Sequence, residues 1–179
     1  VHSNPANNGH REGNIFAAPF FKATLSTGGP SDLWVVFAST SPITRVELLS
    51  VSLSFSSSAV SSNPQALGVE IYRGSTGGSG GSAISPVNLR GWSGVPTAGS
   101  SVSGPSTTIA STASATRIWC DVAYASIGWT FPPTQELTGL VRPVIASGQR
   151  LHVRIDTPQA ALVASGSLVF RELGAGVPS

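Results

Sequence analysis

The segment from Arg150 to Asp156 alternates without a break. Leu151, Val153 and Ile155 are apolar; Arg150, His152, Arg154 and Asp156 are polar. Successive side chains of an extended chain point to opposite faces, so this period of two marks a strand with one face in a core and one in water. The same pattern recurs along the chain. Val51, Leu53 and Phe55 alternate with Ser52 and Ser54, and Leu67, Val69 and Ile71 repeat the theme, as do Leu168 and Phe170. Over 117–126 it sets Ile118, Cys120, Val122 and Tyr124 inward and leaves Trp119 outward. Residues 32–39 read as a short apolar strand. Residues 14–25 are β-prone but carry Pro19, which points to an edge or a bulge. Ser, Thr, Gly and Pro interrupt every helical pattern, and a single turn after Pro133 is the most that the spacing allows. No repeat with a period of about 20–50 residues appears, which excludes propellers and solenoids. The reading is an all-β chain, an antiparallel β-sandwich. The long connections 74–90 and 91–108 favour Greek-key wiring, hence a jelly roll.

The 179 residues suit one domain. A polar stretch, 1–13, with Asn4-Pro5 and Asn7-Asn8-Gly9, reads as an arm that is flexible or ordered by a partner. The domain proper is 14–179. Charged residues make up 10% of the chain, against about 25% in ordinary domains. Serine and threonine take their place. Hydrophobic residues reach 40%, which separates this chain from disordered Ser/Gly-rich sequences. The net charge is +2, and the nine arginines stand singly. No basic stripe is formed, so a direct nucleic-acid partner is not expected. With one lysine to nine arginines, the chain favours bidentate pairing with carboxylates, which is common at protein interfaces. One cysteine excludes an internal disulfide. No apolar run approaches the roughly 18 residues of a membrane helix, and residues 1–14 lack the apolar core of a secretion signal. A soluble, non-secreted protein without membrane contact is expected.

The stretch after the 66–73 strand matches two catalytic signatures. Gly77-Gly78-Ser79-Gly80-Gly81 fits the nucleophile elbow G-x-S-x-G, and 78–83 fits the dinucleotide fingerprint G-x-G-x-x-A. Both need a helix directly afterwards. Pro86 and Gly91 forbid one, so the matches read as chance in a Gly/Ser run and the segment as a loop. Cys120 with His152 as base would make a thiol nucleophile, but an inward Cys120 would be inert. His2, His10 and His152 form no ligand cluster, and no metal or cofactor is expected. The carboxylates Glu47, Glu70, Asp121, Glu136, Asp156 and Glu172 are isolated and read as ion pairs: Glu47 with Arg45, Glu70 with Arg73, Asp156 with Arg154. Trp34, Trp92, Trp119 and Trp129 are the aromatics able to stack on sugars. An outward Trp119 suggests an interface, while Trp92 and Trp129, beside glycines, suggest capped ends or partner contacts. Enzyme activity is not expected.

Arg73, the run 77–86, Pro132-Pro133, Val144, Ser147-Gly148, the strand 151–155, Pro158 and the stretch 165–174 form a pattern that resembles small jelly-roll virion proteins of tailed bacteriophages, including capsid decoration (cement) proteins. The resemblance covers 67–174. It implies a non-enzymatic protein made in the host cytoplasm and carried on the capsid surface. Its partner would be the major capsid protein, and it would form a homo-oligomer, trimer or dimer. The alternative within that setting is a receptor- or glycan-binding head-fibre or tail module. The residues expected at the partner contact are His10 and Arg11 in the arm, Gly77, Gly78, Gly80 and Gly81 in the loop, and Trp92 and Trp119.

Overall fold

The structure, a computed structural model, describes residues 14–25, 27–38, 43–56, 65–89, 97–106, 108–109, 115–131 and 142–174. These residues form strands and no helix. In chain order the strands are β1 (Asn14–Leu25), β2 (Ser31–Phe37), β3 (Ile43–Ser56), β4 (Ala66–Gly74), β5 (Ser82–Ile84) and β6 (Val87–Asn88). They continue with β7 (Ser101–Gly104), β8 (Thr116–Tyr124), β9 (Trp129–Phe131), β10 (Val144–Ala146), β11 (Arg150–Ile155) and β12 (Leu162–Gly174). The first sheet runs β10-β3-β12-β1-β6, with β9 also paired to β3. The second runs β5-β7-β2-β11-β4-β8. Every strand pairing is antiparallel. The two sheets pack face to face as a sandwich around one shared core.

The alternation read from the sequence builds that core. Leu151, Val153, Ile155, Leu67, Val69 and Ile71 are all buried, and the paired register Val153↔Ile71 puts them side by side. Opposite, Phe16 and Phe170 are cross-strand partners whose rings stack at 5.6 Å. Trp34 pins one sheet to the other. It rises from β2 in the second sheet, is fully buried, and donates its Nε1–H to the Ala18 carbonyl of β1 at 2.9 Å. Gly166 makes room for it, because a Cβ there would come within 2.8 Å of the indole and would collide with the Ser52 carbonyl. Truncating an aromatic side chain buried to this degree costs about 3–5 kcal/mol.

Pro19 lies in β1 where β6 no longer runs beside it, since β6 pairs only with Phe16 and Ala17. A proline N without a hydrogen is tolerated at such an edge. A bulge follows between Phe20 and Ala23, with Lys22 at φ 54°. The connection 74–90 is not irregular throughout, because it contains β5 and β6, and β7 lies within 91–108. Through β5 and β6 the chain crosses from the second sheet to the first.

Ile118 packs against the core as expected, but from Trp119 onward the expected facing of β8 is reversed. Trp119 is half-buried and packs edge-on against Phe131 at 5.3 Å, whereas Cys120, Val122 and Tyr124 are exposed. The cause is a bulge. Ile71 pairs with Trp119 but Tyr72 pairs with Arg117, leaving Ile118 as an extra residue. One inserted residue shifts the phase of a period-two pattern, so the faces exchange.

Candidate functional site

The outer face of the second sheet carries a charge network. Asp32 on β2 and Arg154 on β11 are register partners. Arg154 Nε donates to Asp32 Oδ1 at 2.7 Å and Nη2 to Oδ2 at 3.3 Å. His152 Nδ1 lies 3.4 Å from Asp32 Oδ2 without a hydrogen bond. All three side chains are buried, with Asp32 completely so. The next strand continues the row. The Arg154 guanidinium lies over the Tyr72 ring at 5.1 Å, Tyr72 Oη donates to Glu70 Oε2 at 2.6 Å, and Arg117 Nη1 donates to Glu70 Oε1 at 2.7 Å. Charges therefore alternate in sign across four strands. Burial pushes the Glu70 carboxyl up, but the bonds from Tyr72 and Arg117 and the fields of Arg117 and Arg154 outweigh it, so its pKa is lowered. Burial first, and then the bond to Glu70, raise that of the Tyr72 phenol.

The ion pairs differ from those expected. Residues two apart on one strand point the same way but are stretched along it, and Glu70 and Arg73, three apart, point to opposite faces, so the partners come instead from adjacent strands. Glu70 takes Arg117 rather than Arg73. Arg154 takes Asp32 rather than Asp156. Glu47 lies 3.6 Å from Arg171 and 3.9 Å from Arg142. Glu172 is buried and accepts the backbone N–H groups of Gly99 and Ser100 at 3.1 and 2.7 Å. Asp32, the centre of the network, is not among the carboxylates that the sequence reading singles out. A charged residue at the head of the apolar run 33–38, within the strand, is the signal that marks it.

The glycine-rich loop has defined partners. Ser79 exchanges two backbone bonds with Thr108, at 3.0 and 3.1 Å. The Ser75 carbonyl accepts from Arg150, whose guanidinium also covers the Phe37 ring. A Cβ on Gly77 would press on Arg150 Nε at 3.1 Å; one on Gly81 would meet Ser106 Oγ at 2.8 Å. Gly80 adopts φ 77°, and Gly78 lies between these anchors. The loop thus follows the surface closely, and β5 comes after it. With a strand there in place of a helix, neither catalytic signature has its required setting. Cys120 is exposed, a correction to its inward reading that follows from the bulge. Yet β4 separates it from His152, about 10 Å across the sheet. Among the described residues no group of three or more His, Cys, Asp or Glu is placed to hold a metal.

Trp129 lies on β9 rather than in a loop. It is buried, stacks on Phe131 and donates its Nε1–H to Asp121 Oδ2 at 3.0 Å. Trp34 is buried too, so neither ring offers a face to a sugar. His10, Arg11, Trp92, Glu136 and Pro132-Pro133 lie outside the described residues.

Two exposed apolar areas mark the sandwich edges. Beside β1, Val87 is 57% and Leu89 55% exposed, with Phe21 further along at 77%. Leu89 N–H bonds the Ile15 carbonyl and Val87 pairs with Ala17. This edge therefore flanks the point where residues 1–13 join β1. At the opposite edge β8 exposes Val122 and Tyr124, with Ile127 in the following turn. Compared with protein-family models, curated proteins and solved structures, the chain matches none.

Proposed function

We propose that the chain is a non-enzymatic structural virion protein, a jelly-roll decoration protein that binds the major capsid protein and stabilises the shell from its surface. One juxtaposition carries this reading. The root of the arm at Asn14, the exposed Val87 and Leu89 on and beside β6, and Phe21 lie along one sheet edge. An apolar edge next to a polar N-terminal extension gives a docking patch with a clamp. Apolar and aromatic groups concentrate at such contacts, and Lys22, whose Nζ lies 5.1 Å over the Phe21 ring, brings one charge to this edge. Trp34 and the fixed glycine loop supply a rigid base, so little order has to be gained on binding.

The test is addition of purified protein to shells stripped of it. Val87→Asp with Leu89→Asp is expected to abolish occupancy, and deletion of 1–13 to weaken it, with the thermal melt of each variant unchanged. Full occupancy by both variants would refute the docking edge.

A further inference from the structure

At one end of the sandwich the chain passes from β1 to β2 through Gly28, Gly29 and Pro30, and Pro105 and Ser106 lie beside the start of β2. Between these two segments and Thr24 is a cavity of about 330 Å³. Ser106 is buried at its base, and Pro30, Ser31 and Pro105 are half-buried around it. The base is fixed, because Ser106 bridges Asp32 antiparallel and its N–H bonds the Asp32 carbonyl at 2.9 Å. The Asp32 carboxylate is committed to Arg154, and no charged side chain lines the cavity. Gly29 keeps the space open. Its φ lies outside the left-handed region, and a Cβ there would meet nothing within 4 Å. Neither backbone geometry nor crowding calls for glycine at this position; a side chain there would fill the cavity.

We propose that the cavity binds one neutral sugar ring, such as the terminal residue of a glycan. Size, charge and lining each narrow the ligand. The volume lies near the lower end of the span of about 300–1,000 Å³ found for small-molecule sites, which admits a single ring and excludes a nucleotide or an extended oligosaccharide. An ion would leave water for a lining without a countercharge, which sets anions and metal cations aside. The lining joins the hydroxyls of Thr24, Ser31 and Ser106 to the aliphatic rings of Pro30 and Pro105. A pyranose presents the same two kinds of surface, O–H groups around its edge and C–H groups on its faces. A purely apolar ligand would take the hydroxyls out of water and return no hydrogen bond. No aromatic platform takes part, so binding rests on dispersion and a few hydrogen bonds, and affinity is about millimolar.

The inference stands apart from shell docking, and its failure would leave that reading intact. The probes are the methyl glycosides of glucose, galactose, mannose and N-acetylglucosamine, added to the isotope-labelled full chain. With at least one of them, the amide NMR signals of Gly28, Gly29, Ser31 and Ser106 are expected to shift and to saturate. Those of Val122 on β8, three strands away from β2, should stay in place. Cyclohexanol, a ring with one hydroxyl, should shift the cavity signals far less. Gly29→Trp, which fills the cavity, should abolish the shifts while circular dichroism stays native. Thr24→Val, which exchanges one hydroxyl for a methyl, should weaken binding about two- to tenfold. The map on the unaltered protein and Thr24→Val decide the matter if Gly29→Trp fails to fold. Shifts from none of the glycosides, shifts that map away from the cavity, or an equal response to cyclohexanol would overturn the proposal. So would binding that survives Gly29→Trp.

Discussion

On the outer face of the first sheet, β3 sets Ser50, Ser52 and Ser54, and β12 answers with Ser167 opposite Ser52 and Ser165 opposite Ser54. Thr130 of β9 extends the row beside Ser52. On the outer face of the second sheet, the same alternation sets Asp32, Arg154, Glu70 and Arg117. Over 50–54 and 165–167 the first face carries hydroxyls alone, and its charges, Glu47 with Arg171 and Arg142, lie further along the strands and remain part-exposed. Ser54 Oγ donates to the Ser165 carbonyl at 3.3 Å, and both Ser52 and Ser54 remain exposed. The second is sealed at its centre, where Asp32, His152 and Arg154 are withdrawn from water. Identical periodicity therefore gives two energetic situations. A hydroxyl left in water requires no partner, whereas a buried carboxylate requires one in fixed geometry.

The strongest way to break this contrast is Arg154→Ala. It strands Asp32 without its bidentate partner in a site closed to water, and a loss of about 3–5 kcal/mol in urea-unfolding stability is expected. A loss below about 1 kcal/mol would show that the network is solvated and the contrast false.

Glu70 lies where the sealed centre gives way to the exposed edge. Its pKa is depressed, so the stability that it contributes is complete above the ordinary carboxylate range and is lost as pH falls through the depressed value. Tyr72 has a raised pKa, so its contribution holds below the ordinary tyrosine range and is lost as pH rises through the raised value. Glu70→Gln should lower stability by about 1 kcal/mol near neutrality and flatten the acid limb of a stability-versus-pH curve. An acid limb identical to that of the unaltered protein would remove Glu70 from the network.

The smallest effect belongs to the serine face. Ser52→Ala and Ser54→Ala should each stay within about 0.5 kcal/mol of the parent. A larger loss in chemical denaturation would mean that the cross-strand hydroxyl bonds matter to the fold.

Much of this architecture is legible in the sequence. The strands at 51–55, 67–71, 151–155 and 168–170 follow the residues that their alternation names, because period two is a local property of an extended chain. Whether the opposite face stays wet is not local. Alternation sets His152 and Arg154 outward, and they do occupy the outer face, but their burial depends on packing from elsewhere in the chain. Asp32 meets Arg154 across 122 positions of sequence, a pairing invisible to neighbour rules. The bulge at Ile118 exists only relative to β4, so the exchange of Trp119 and Cys120 is not written in β8 itself. At the proposed docking edge, Val87 and Leu89 lie in a segment that reads as a loop, since two residues of β6 give no periodic signal.

The proposed virion role is tested most directly by a copy count of this chain in purified phage particles, by quantitative mass spectrometry against the major shell protein. A decoration protein gives a simple fixed ratio to the shell protein. A trace number of copies, or absence from the particles, would contradict the proposal.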